Sequence, residues 1–418
     1  MALSAIERLA GLPFFSDADY LALNPDVAAS NMAPRDHLWH HGFGEGRAVF
    51  RREHLARAWG KAVRATADAP PPLARRWPPA DGAAAPSLAI AVSSHADAAN
   101  VALAETLAEA LAAAGLRIAR LDETADPAGA PEDLVVVGPH AFFTQGLGTV
   151  WARDGAAGRC LLLNTAPMHR PDFARALPFI LSARGLLDAS PQVTHMFDRT
   201  GMPTLHLRLA SARRRRWLAD DDRDDPLLVA LPAAGRALAF DPDAWDARPL
   251  DLAFFGRNTA RRSRFLQRNA AAFAGRPCFV YAAQPCRDPL DEAVAWRRHP
   301  RLAGHVSGQS RLTLMVAEDE FPGFDWHRAI VSAMASGSVV VTDNAHPHPD
   351  YRAGVHLFQD DVRHLAELAR WLLDEPDGRA AALAARSSAF AVLDGSAAQL
   401  AADLTAFLAG LPPRGSRP

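Results

Sequence analysis

The sequence predicts an α/β protein with two doubly wound parallel-sheet halves, preceded by a small α-helical module. Three observations carry this. Short apolar runs such as residues 88–92, 134–137 and 338–342 alternate with Ala/Leu-rich helical stretches in two separate blocks, as expected of buried parallel strands and crossover helices. Polar and charged residues follow directly after the runs, where open α/β sheets bind their ligands. A Pro/Ala-rich stretch sets the first 60 residues apart from both blocks.

Composition agrees. The chain has 418 residues, 49% of them apolar and 22% charged, enough for two or three globular domains. A formal charge of −2 gives no sign of a nucleic-acid-binding surface. Three cysteines, Cys160, Cys278 and Cys286, lack zinc-type spacing and cannot all pair, so a reducing, cytoplasmic setting is expected. There is no signal-peptide pattern and no apolar run of membrane-spanning length.

In chain order, residues 1–60 form the module. Phe14 and Phe15 start it, Asn24-Pro25-Asp26 turns it, and His37 to Arg47 ends it with a helix and a Gly-rich turn. His37 and His41 stand four apart, which is ligand spacing on a helix. No cysteine or carboxylate completes the set, so packing and capping are expected and no metal is assigned. Residues 61–86 read as a linker, because Pro70, Pro71, Pro72, Pro78, Pro79 and Pro86 prevent a regular element. The module therefore either moves relative to the rest or lies along it as a strap.

The first α/β half covers 87–212. Strands are expected at 88–92, 116–121, 134–137 and 160–163, with a helix from Ala98 to Ala114 stopped by Gly115. Residues 185–188, 193–196 and 201–207 continue the pattern. The loops after the strands carry His95, His140, Asn164 and His169. His95 is the candidate base, since it follows the first strand and imidazole exchanges protons near neutral pH. No Gly-x-Gly-x-x-Gly or P-loop follows a strand, so those phosphate fingerprints are absent. In the connection 213–249, Arg213 to Arg216 precede Asp220, Asp221, Asp222, Asp224 and Asp225. A solvated loop of offsetting charges is expected.

The second half covers 250–409, with a flexible tail at 410–418. A strand at 251–255 runs into Gly256, Arg257, Asn258, Arg261 and Arg262 and then a helix. A glycine turn lets backbone approach a ligand, and arginines offer forked donors to phosphate oxygens at a helix N-terminus. Strands at 278–282, 312–316, 338–342 and 355–358 follow, with helices at 361–373 and 378–390. Asp325 is the expected cap of the helix carrying Ile330, Val331 and Met334, and Gly337 is its left-handed stop. Glu318, Glu320, His327, Arg328, Asp343, His346 and His348 crowd two consecutive strand ends.

Two doubly wound, Rossmann-like halves with a connecting loop describe the architecture called GT-B, and the motifs support the resemblance. Phe-Phe-Gly-Arg (254–257) stands where many GT-B glycosyltransferases have V-G-R. Glu-Phe-Pro-Gly-Phe (320–324) resembles their E-x-F/P-G turn. Ala-Met-Ala-Ser-Gly-Ser-Val-Val-Val-Thr (333–342) looks like A-M-A-C/S-G-x-P-V-V-x. Asp-Trp-His-Arg (325–328) and the stretch His348 to Phe358 are similar to family-1-like bacterial glycosyltransferases related to spore-maturation-type proteins. The module resembles a helical unit, Y-L-x-x-N-P-D-V … H-x-x-x-x-G-x-x-E-G-R, found beside bacterial glycosyltransferases and in some large surface proteins.

The resemblance implies transfer of a sugar from a nucleotide-sugar donor, without bound metal or other cofactor, to a glycan, lipid-linked glycan or protein acceptor. It implies donor contacts from Gly256, Arg257, Asn258, Arg262, His327 and Arg328, with Arg257 and Arg262 on the diphosphate and Glu320 on the sugar hydroxyls. Ser332 stands where retaining members carry a ribose-binding glutamate. A carboxylate accepts from two hydroxyls; a serine holds them more weakly. Two other readings stay open: a non-catalytic GT-B scaffold for a carbohydrate or protein, and a sugar-nucleotide epimerase or hydrolase. The module leaves open docking to a membrane surface or a protein.

Overall fold

The computed structural model describes residues 15–54, 88–131, 133–211, 213–283, 300–319, 328–343 and 348–411. Two all-parallel sheets form the body. The first contains β1 (Leu88–Val92), β2 (Ile118–Leu121), β3 (Leu134–Val137), β4 (Leu161–Asn164), β5 (Gly185–Asp188) and β6 (Thr204–His206), in the order β2-β1-β3-β4-β5-β6. The second contains β7 (Leu250–Arg257), β8 (Cys278–Ala283), β9 (Ser310–Met315), β10 (Val339–Thr342) and β11 (Phe358–Gln359), in the order β11-β10-β9-β7-β8. Strand order reverses between β1 and β3 and between β7 and β9, which defines one switch point per sheet. Two separate doubly wound sheets agree with the two halves expected from the sequence.

The strands work as period-two elements buried on both faces. Ala89 and Ala91 of β1, with Leu134 and Val136 of β3, enter one core layer. Leu88 and Ile90, with Val135 and Val137, enter the opposite layer. Each fully buried Leu, Ile or Val side chain stabilises the fold by roughly 1.5–3 kcal/mol.

The N-terminal module joins the first of those layers. Tyr20, Val27, Leu38, Phe43, Val49 and Phe50 share a core with Phe173, Met196 and Phe197. The rings of Phe50 and Phe197 meet edge to face at 5.2 Å. The motif residues bond to one another: Tyr20 Oη lies 2.9 Å from His37 Nδ1, and Asn24 donates to the carbonyls of Tyr20 and Ala48. Arg47 holds Asp26 and Glu45. The whole linker, 61–86, lies outside the described residues.

Several elements differ from expectation. Residues 193–196 are helical, inside Pro191–Asp198, because Ser190 caps and Pro191 occupies the first turn. The last strand is only Phe358–Gln359; a turn at Gly354, with φ of +75°, takes up the residues before it. The helix expected from Asp361 starts at Leu365. The helix expected at 378–390 is part of Pro376–Gly410, 35 residues long. Ala382 and Ala385 pack into the second domain, and Leu400, Ala401 and Leu404 pack into the first.

The connection 213–249 is more embedded than a solvated loop. Arg216 and Arg223 do pair with Asp220. Arg213 instead reaches Asp394, and Arg214 pairs with Glu109. The rings of Trp217 and Phe240 cover Gly304 and Gly308, where an added Cβ would fall 2.5 Å and 2.3 Å from them. Arg248, driven down to about 9 by burial, donates to the carbonyls of Ser307, Ser310, Pro242 and Ser336. Among the described residues, no helix is long and apolar enough to cross a membrane.

Candidate active site in the interdomain cleft

The switch point of the second sheet is built by three strand ends. β7 delivers Gly256, Arg257 and Asn258 to the start of helix Ala260–Phe273, whose cap is the Thr259 side chain. β9 leads to Ala317, Glu318 and Asp319, and β10 leads to Asp343. Asp343 is buried, accepts from the Ala317 amide at 2.8 Å, and pairs with Arg261. That bond draws the β9 and β10 loops together.

The sequence-predicted arginines separate into two kinds. Arg257 is exposed beside the helix N-terminus. Arg262 is only 7% exposed and turns under the loop. Its Nε donates to the Val316 carbonyl at 2.7 Å, and its Nη1 donates to the Arg257 carbonyl at 3.1 Å and to Glu318 at 3.2 Å. An added Cβ on Gly256 would lie 3.1 Å from that same Nη1. Asn258 fixes the turn through Ser263 and through its amide to the Ala283 carbonyl. Arg328 opens helix Arg328–Ala335, and Ser332 lies half-buried within it. Glu320, His327, His346 and Asp325 lie outside the described residues.

The first domain faces this loop with His169 and Arg170, which follow β4. Arg170 reaches Glu318 at 3.1 Å and Asp319 at 2.9 Å, and His169 Nε2 lies 2.9 Å from Asp319. Charged loops of both domains therefore meet across the cleft.

His95 sits after β1 with its side chain 58% exposed. Behind it is Glu123, 2% exposed, whose carboxylate lies 3.8 Å from His95 Nε2. The same carboxylate accepts from the Ser94 amide at 2.7 Å and from the Ser94 hydroxyl. Trp151 Nε1 pins the Glu123 loop by donating to the carbonyls of Glu123 and Ala125. Sequence reasoning found His95 and missed Glu123; the only signal was its place two residues after β2. Beside them a cleft of about 560 Å³ is lined by Ser93, Ser94, Glu105, Arg120, Asp122 and, from the second domain, Arg301.

Two further polar groups stand at the ends of the first sheet. Asp188 is buried, accepts from Asn164 Nδ2 and the Ser190 amide at 2.7 Å each, and is pushed up to about 7 by burial. Burial also holds His140 below its ordinary value.

No family model matches the chain. No curated protein matches it either. Solved structures are similar in fold at low identity. Anabaena Alr3699/HepE in complex with UDP and glucose is 11% identical, with a TM-score of 0.48 over 78% of this chain and 100% of that one. Sucrose-phosphate synthase from Thermosynechococcus elongatus is 14% identical, with a TM-score of 0.48 over 77% and 99%. T4 phage BGT in complex with its UDP-glucose substrate is 11% identical, with a TM-score of 0.42 over 78% and 100%.

Proposed function

We propose that the protein is a glycosyltransferase that moves a sugar from a nucleotide-sugar donor to a glycan, lipid-linked glycan or protein, with no metal at the diphosphate. The observation that carries this is the pairing of charged strand-end loops from both domains, joined by Arg170 and Glu318. The donor diphosphate would lie at the N-terminus of helix Ala260–Phe273, on backbone N–H groups at Gly256 to Asn258 and on Arg257. Helix N-termini and arginine together stabilise a leaving diphosphate in place of a metal. Arg262 is assigned a positioning role, because its donors hold the loop and Glu318. Glu320 and His327 are assigned to the sugar and Arg328 to the donor pocket on sequence alone, with Ser332 as a weak ribose partner.

The acceptor would enter the cleft beside His95. Its hydroxyl attacks the anomeric carbon, the bond to the diphosphate breaks, and His95 takes the hydroxyl proton. Glu123 orients the ring and stabilises the imidazolium that forms. The low cysteine content, three in 418 residues, is the reason we place the reaction in the reducing cytoplasm.

The test is a thermal-shift screen against UDP-, GDP-, TDP- and CMP-sugars and free nucleotides, with and without magnesium. Stabilisation by one nucleotide family, unchanged by magnesium, followed by acceptor-dependent release of that nucleotide, is the expected result. Binding with acceptor-independent turnover would replace transfer by epimerisation or hydrolysis. A second reading draws on the internal pairing of Arg170, Arg261 and Arg262: a scaffold whose site is filled by its own charges. It predicts no shift with any nucleotide at millimolar concentration.

A further inference from the structure

Three side chains converge where the last strand of the first sheet meets the second domain. His206 ends β6, and His348 and Asp350 follow β10. Their ligand atoms all lie within 4.8 Å of one another. His206 Nε2 bonds to the Ala189 carbonyl at 3.1 Å. That bond fixes the tautomer and leaves Nδ1 with its lone pair, the arrangement that orients metal-binding histidines. The two imidazoles meet at 5.1 Å between centroids.

Asp350 supplies a second and independent sign. Its side chain is 8% exposed, and one carboxylate oxygen meets Arg208 at 2.8 Å. The other, Oδ2, is fully buried and has no hydrogen-bond partner among the described residues. It lies 4.0 Å from His348 Nδ1. A buried carboxylate oxygen without a donor is costly unless a cation or a proton satisfies it.

We propose that His206, His348 and Asp350 form a divalent transition-metal site, best matched to zinc, that clamps the two domains together. Two imidazoles and a carboxylate are the donor set of a three-ligand zinc centre, with solvent completing the tetrahedron. The carboxylate then bridges Arg208 and the ion. His348 Nδ1 accepts from the amides of Asp350 at 3.0 Å and Tyr351 at 3.3 Å. To ligate through Nδ1, the ring gives up those bonds, so binding is coupled to a change in this turn. The junction already crosses between domains through Arg208 and Asp350 and through Tyr351 Oη on the Leu209 carbonyl. The ion would tighten that crossing and is separate from the proposed donor chemistry.

The test uses the full chain, stripped with chelator and free of nucleotide. Cobalt(II) is titrated by its d–d absorption, zinc by calorimetry and thermal shift. One ion per chain, tetrahedral cobalt bands and a rise in Tm of about 5 °C at saturating zinc are expected. His206→Gln and Asp350→Asn should each weaken binding by at least ~10-fold, while His41→Ala should bind as the wild type does. Absence of cobalt bands and of a zinc shift in the wild type overturns the proposal. So does wild-type affinity in folded His206→Gln, or loss of binding in His41→Ala, which would move the ion to the N-terminal module.

Discussion

Arg170 of the first domain reaches Glu318 of the second at 3.1 Å, and Glu318 is held from the other side by Arg262 at 3.2 Å. One carboxylate thus links the loop after β4 to the base of the proposed donor site. Both partners of the cross-domain pair are about one-third exposed, so the pair contributes no more than about 0.5–1 kcal/mol. Arg170→Ala should leave Tm nearly unchanged while the domains open further. Small-angle scattering should show a larger radius of gyration, which nucleotide would restore. An unchanged radius would mean other contacts hold the cleft.

His95→Ala should lower turnover by ~100-fold or more, the usual contribution of a positioned base. Since the ring is 58% exposed, the melting temperature should not move. Glu123→Gln should lower kcat by roughly tenfold with donor KM unchanged, because it acts through His95. Steady-state kinetics on folded variants, checked by circular dichroism, decide this; full activity in His95→Ala removes it as the base.

Asp188 makes stability depend on pH. Burial raises its folded-state pKa to about 7, above the ordinary carboxyl value of 3.8, so the protonated form favours folding. Its contribution is therefore fully present below about pH 4 and is lost as pH rises through about 7. Denaturant melts of the wild type should show this decline between about pH 4 and 8, on the order of a few kcal/mol. Asp188→Asn should flatten that part of the curve. Parallel curves for the two proteins would assign the titration elsewhere.

Gly308→Ala should cost about 1–3 kcal/mol, because the new Cβ would stand 2.3 Å from the Phe240 ring. Gly395→Ala makes the opposite case. It lies inside helix Pro376–Gly410 with nothing within 4 Å of an added Cβ. It should stabilise by up to about 1 kcal/mol through helix propensity. Urea melts compare the two directly.

The sequence made most of the strands legible, because parallel strands buried on both faces leave continuous Leu/Val runs. It also marked Gly337, whose φ of +76° ends helix Arg328–Ala335. The run 193–196 misled: its apolar content suits either element, and the decisive signals were Ser190 and Pro191 before it. Gly395 and Ser396 hid the continuation of the last helix, since packing outweighs a single glycine. Arg257 and His95 stood out in the sequence as candidates, because one ends a strand and the other follows one. Arg262 looked the same as Arg257 in sequence, and only tertiary placement sends one outward and the other under a loop. Glu123, Arg170 and the partners of His206 come from distant segments, and no local pattern encodes those meetings.

The final helix has a mechanical consequence. At 1.5 Å per residue its 35 residues extend about 50 Å, and its two ends are seated in different domain cores. The chain therefore crosses between the domains twice, once outward after β6 and once back along this rod. Two crossings oppose sliding of the halves, so any opening of the cleft should be a swing, like the covers of a book about its spine. In such a swing, groups beside the spine would keep their neighbours and those at the opposite rim would travel farthest.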